Sequence, residues 1–98
     1  IVQNSSVTQL NEGREDRVWD VLVRPSGVEV QQNGRRIGTF GFEEAKEQIA
    51  SLNEEYLAGR DNPKVSLRAA DDVLYEDVIT ILDALFTQNL FNVSVAGI

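Results

Sequence analysis

The dipeptide Asn33-Gly34 constrains the fold of this chain more than any other feature. A two-residue type I′ turn needs positive φ at both central positions, which Gly adopts freely and Asn tolerates. The dipeptide sits between two stretches in which apolar and polar side chains alternate, so it joins two antiparallel strands. Before it, Val28 to Gln32 places Val28 and Val30 on one face. After it, Arg35 to Phe40 is the return strand, with Ile37 expected to point inward. Further upstream, Val18 to Arg24 alternates the same way. Trp19, Val21 and Val23 share one face, Asp20 and Arg24 the other, and Pro25-Ser26-Gly27 supplies the next turn. The first half of the domain is therefore a three-stranded meander.

The pattern then changes period. Phe42, Ala45, Ile49, Leu52 and Tyr56 recur at spacings of three and four, the stripe of a helix ending near Leu57. Gly41 serves as a weak N-cap, and Glu43 and Glu44 sit where carboxylates favour the helix dipole. Gly59 and Pro63 close the helix. Val65, Leu67 and Ala69 alternate as another strand. Asp71-Asp72 is expected to open a second helix with Tyr75, Val78, Ile79, Leu82, Leu85 and Phe86 as its apolar face. Leu82, mid-stripe, should be fully buried. Asn89 tolerates the left-handed conformation that stops a helix, and Val93 and Val95 belong to a final strand. The order β-β-β-α-β-α-β predicts an α+β fold. Its mixed sheet has about five strands, the last ones parallel, with both helices on one face.

Residues 1–17 are polar and lack either period, so they are read as a flexible tether ahead of a folded domain at 18–98. The chain begins at Ile1 rather than Met, which suggests a piece of a longer protein. No run reaches the ~20 apolar residues of a membrane span.

Chemistry is sparse. The chain has no His and no Cys, which removes thiol chemistry, zinc-thiolate sites and histidine-activated nucleophiles. Its net charge is −7, with 16 acids against 9 bases, so nucleic acid and anionic membrane surfaces are disfavoured partners. Arg35-Arg36 reads as a solvated hairpin end. Asp71-Asp72 with Glu76-Asp77 is the densest acidic cluster, but its spacing does not fit an EF-hand loop, and acids at a helix start have a structural role. The acidic face formed by Glu43, Glu44, Glu47, Glu54 and Glu55 reads as solvated surface, with docking as the sharper alternative. Gly38-Thr39-Phe40-Gly41 lacks the Gly-Lys-Ser/Thr end of a phosphate loop. The chain is therefore expected not to be an enzyme and to hold no metal or cofactor.

One family fits the ordered set of motifs. Val65 to Phe86 resembles the C-terminal signature of ExbD/TolR biopolymer-transport proteins: a strand ending in Arg68-Ala69, an entry through Tyr75, an apolar helix carrying Asp83, then a Val-rich strand with Val93 and Val95. Gly27, Asn33-Gly34 and Glu43-Glu44 match the family's upstream half, so the resemblance covers about residues 18–98. Ala70 stands where the family has Asp, with Asp71 one place later, and Asn89 replaces the helix-stop Gly. The resemblance implies the periplasmic domain of a single-pass inner-membrane protein, anchored by an upstream helix. It implies a homodimer working with ExbB/TolQ-type proton-channel subunits, and a TonB/TolA-type energy transducer or peptidoglycan as the recipient of proton-motive energy. The rival expectation is a stand-alone α+β module that binds a peptide or small ligand.

With no pocket chemistry in the sequence, backbone pairing at a sheet edge is the expected recognition mode. The closing strand, Asn92, Val93, Ser94, Val95 and Ala96, is short and neutral, and lacks the Lys or Pro that blunts exposed edges. It is the candidate partner and dimer edge.

Overall fold

The computed structural model describes residues 17–97. In chain order the elements are β1 (Arg17–Arg24), β2 (Gly27–Gln32), β3 (Arg35–Phe40), a 3-10 turn (Phe42–Glu44), α1 (Ala45–Tyr56), β4 (Lys64–Ala69), α2 (Tyr75–Thr87) and β5 (Val93–Gly97). The strands form one mixed sheet in the order β3-β2-β1-β4-β5. β1 pairs antiparallel with β2 and β2 with β3, while β4 lies parallel to both β1 and β5. This is the expected α+β architecture. Of the expected tether at residues 1–17, all but Arg17 lies outside the described residues, and Arg17 opens β1.

The turns follow the sequence chemistry. Asn33 and Gly34 have φ of 54° and 82°, as a type I′ turn requires. At Gly27 (φ 144°) a Cβ would come within 2.8 Å of the Phe40 carbonyl oxygen, so only glycine fits. Asn89 ends α2 at φ 63°. Gly41 caps the first helical turn through its backbone, and its N–H donates to Glu44 Oε1 at 3.1 Å.

The helix-facing side of the sheet buries Trp19, Val21, Val23, Val28, Val30, Phe40, Val65 and Leu67, and α1 adds Ala45, Ile49 and Leu52. Strand parity slips once. Val30 pairs with Gly38 but Gln31 with Arg36, leaving Ile37 as the extra residue of a β-bulge. Ile37 packs against the core half-buried, and the inward positions of β3 are Gly38 and Phe40.

Two expectations about α2 need correction. The helix begins at Tyr75, not at Asp71-Asp72. Ala70 prolongs the sheet by donating its N–H to the Val23 carbonyl at 3.0 Å, and Val73 N–H closes a turn onto Ala70 O at 3.1 Å. The two aspartates therefore occupy a turn, a place their side chains favour. The buried face also differs. Ile81, Ala84 and Leu85 are buried, Val78 and Leu82 are half-buried, and Tyr75, Ile79 and Phe86 are exposed. At 100° per residue the buried arc is rotated by about 90° from the expected one. The apolar arc of this helix is wider than one packing surface, so periodicity alone does not choose which part meets the sheet.

Candidate interaction surface

The two sheet edges differ. β3 carries Arg35 and Arg36 and is kinked by its bulge, both devices that discourage further pairing. β5 pairs with β4 on one side and has no strand of the described sheet on the other. The expected edge residues sit here: Val93, Ser94, Val95 and Ala96 in β5, and Asn92 just before it. The strand extends one residue beyond the expected end, to Gly97. The Asn92 carbonyl accepts from Val65 N–H at 2.9 Å and so begins the parallel pairing.

In-register partners fix the faces of β5. Val93 lies beside Val65 and Val95 beside Leu67, so both point to the helix-covered side, while Ser94 beside Ser66 points to the open side. Leu67 is fully buried, yet Val95 is 54% exposed. The helices stop short of the edge.

The flank of α2 explains what lies above that gap. α1 meets α2 through Asn53 Nδ2 donating to Gln88 Oε1 at 3.5 Å and through Lys46 Nζ near Asp83 Oδ2 at 3.8 Å. These contacts fix which flank of α2 faces α1. Tyr75, Ile79, Leu82 and Phe86 lie on the other flank, toward β5, at spacings of four, three and four. Tyr75 is 79% exposed, and Phe91, 64% exposed, stands against Phe86 with ring centroids 5.8 Å apart. Every exposed large hydrophobic among the described residues falls in this region, from Leu74 to Val95. Single exposed apolar residues are ordinary, but their concentration beside a strand edge that has no partner among the described residues makes this the candidate interaction surface.

The other candidates do not converge. Asp71, Asp72 and Glu76 are exposed and Asp77 half-buried. Among the described residues no group of three or more carboxylates is placed to hold a metal ion. Glu43, Glu44, Glu47, Glu54 and Glu55 are exposed, and Arg35-Arg36 is an exposed hairpin end. No described helix is long and apolar enough to cross a membrane. Trp19 is a core residue whose indole N–H donates to Gln32 Oε1 at 3.1 Å. Helical periodicity assigns every member of the apolar flank of α2 to the core, so it does not by itself reveal a surface there. The surplus width of that apolar arc, with Phe91 just beyond the helix, was the available signal.

Compared with known proteins, the chain matches no family model and no curated sequence.

Proposed function

We propose that this domain is the periplasmic part of an ExbD/TolR-type subunit, which passes proton-motive energy from an inner-membrane channel to envelope partners. Its contribution is recognition, without catalysis or a cofactor. The observation that supports the reading is the juxtaposition of a β5 edge and an α2 flank that are both without a partner among the described residues. Such a surface suits an occupant that offers both a strand and apolar side chains. A second copy of this chain offers both. Antiparallel pairing of two β5 strands continues the sheet across a two-fold axis and brings the two Tyr75–Phe86 flanks together. Backbone pairing sets the register, and burial of the aromatic and aliphatic flank supplies most of the affinity. The same surface can instead take an extended segment of an energy transducer, and exchange between the two occupants is the working cycle in this reading. The ExbB/TolQ-type channel and an upstream anchoring helix complete this reading.

The test is photo-crosslinking in native cells, with the photoreactive residue at Val95 of the full-length protein. The expected products are a second copy of the protein and an extended transducer segment, in a ratio that changes when a protonophore collapses the gradient. A crosslink pattern that ignores the gradient would refute the motor reading. If only a soluble peptide ligand is captured, the stand-alone binding module takes its place.

A further inference from the structure

The topology distributes charge unevenly between the two ends of the sheet. β1, β3, β4 and β5 all run the same way, so both helices begin at one end of the sheet and finish at the other. Glu43, Glu44, Glu47, Asp71, Asp72 and Glu76 gather at the helix-start end. The opposite end carries the Asn33-Gly34 hairpin with Arg35 and Arg36, the loop from α1 to β4 with Arg60, and Lys64 at the start of β4. Glu54, Glu55 and Asp61 also lie at this second end, so its charges nearly balance, and the acidity of the described residues is concentrated at the helix-start end.

A cleft of about 670 Å³ opens at this second end, lined by Val18, Arg60, Asp61, Asn62, Pro63, Lys64 and Asn92. Its shape is fixed by the fold. Asn62 stands in the left-handed region at φ 53°, and Asn92 Nδ2 donates to the Asn62 carbonyl at 3.5 Å, tying the loop to the start of β5. The ion pairs among the described residues are Arg24–Glu29 and Lys46–Asp83, and Arg60 and Lys64 belong to neither. Two cations without an ion-pair partner among the described residues thus line a cleft that also holds two side-chain amides.

We infer that this cleft binds a phosphate-bearing anion. A guanidinium donates in a fixed fork that matches two phosphate oxygens, an ammonium adds a mobile point charge, and amide N–H groups satisfy the remaining oxygens. Asp61 is the one acid in the lining, and its charge opposes the ligand. The site touches β5 only at Asn92, just before the strand, and the inference does not depend on the proposed motor role. The phosphate can belong to a lipid headgroup or to a soluble compound.

Amide chemical shifts of the whole 98-residue chain provide the test. One titration uses inorganic phosphate at constant ionic strength, with chloride as the control. A second uses small phosphatidylglycerol–phosphatidylcholine bicelles, with pure phosphatidylcholine as the control. Saturable shifts at Arg60, Asn62, Lys64 and Asn92 in either series support the site. Response to phosphate alone identifies a soluble ligand, and response to phosphatidylglycerol alone identifies a lipid headgroup. The double variant Arg60→Gln/Lys64→Gln should weaken binding by at least about tenfold, or about 1.4 kcal/mol. Asp61→Asn should strengthen it, and Arg35→Gln/Arg36→Gln should leave it unchanged. No saturable shifts, or shifts that persist in the Arg60/Lys64 double variant, would overturn the inference.

Discussion

Ile81 and Leu82 are neighbours on α2 with different surroundings, and truncating each in turn tests which face of the helix the core uses. Ile81 is 0% exposed, and Leu82 is only half-buried beside the β5 edge. Ile81→Ala removes three carbons from a closed site. At about 0.8 kcal/mol per buried methylene the lost transfer energy is about 2.4 kcal/mol. The cavity left behind raises the cost to about 3–4 kcal/mol. Leu82→Ala removes as many carbons, but part of that surface is already wet and the gap opens to solvent. Its cost should be about 1 kcal/mol. At about 4–8 °C per kcal/mol for a domain of this size, the melting temperature should fall by roughly 12–30 °C for Ile81→Ala and roughly 4–8 °C for Leu82→Ala. Urea unfolding followed by the fluorescence of buried Trp19 measures both free energies, and unchanged m-values would confirm a two-state comparison. Equal costs, or a larger cost at Leu82, would mean that α2 packs with the other part of its apolar arc.

Four further outcomes follow from the same geometry. Val95→Pro, whose lost N–H points away from β4, and Ile79→Glu should each abolish self-association in sedimentation while leaving the circular dichroism spectrum native; a dimer that survives both substitutions would remove β5 and α2 from the interface. Gly27→Ala should cost about 1–3 kcal/mol, because its φ of 144° and the Phe40 carbonyl 2.8 Å from the new Cβ leave an alanine strained; a neutral result in urea melts would refute this. Glu29 is held below its ordinary value of 4.5, first by the Gln31 amide donating to its carboxylate and then by Arg24. A depressed folded pKa contributes stability that is present above the unfolded value and lost as the pH falls through the folded one, so Gln31→Ala should reduce acid sensitivity below about pH 4.5. Calorimetric titration with Ca²⁺, Mg²⁺ and Zn²⁺ should show only weak surface binding, whereas a sub-micromolar site would restore a metal role for Asp71, Asp72, Glu76 and Asp77.

Local chemistry made most of the fold legible. Asn33-Gly34 specifies its turn because few other pairs tolerate two positive φ values, and Trp19, Val21 and Val23 specify a buried face because strand parity has only two outcomes. The errors arose where a local signal admitted several answers. Alternation cannot reveal the bulge that moved Ile37, since an inserted residue depends on how the β2 and β3 registers meet. Acidic residues suit both helix starts and turns, so Asp71-Asp72 did not fix the first residue of α2.

The candidate surface divides in the same way. The sequence by itself determined that the closing strand is neutral and unguarded and that α2 has a broad apolar arc, because both are properties of single segments. Tertiary structure decided that β5 is an edge, that α1 claims one flank of α2, and that the other flank stands over the gap beside Val95. It also decided that Arg60 and Lys64 share a cleft with Asn92, nearly thirty residues further along the chain. Hydrophobic burial is non-directional. A segment's pattern states how much apolar surface it must cover, and only the arrangement of the other elements determines which part of that surface remains for a partner.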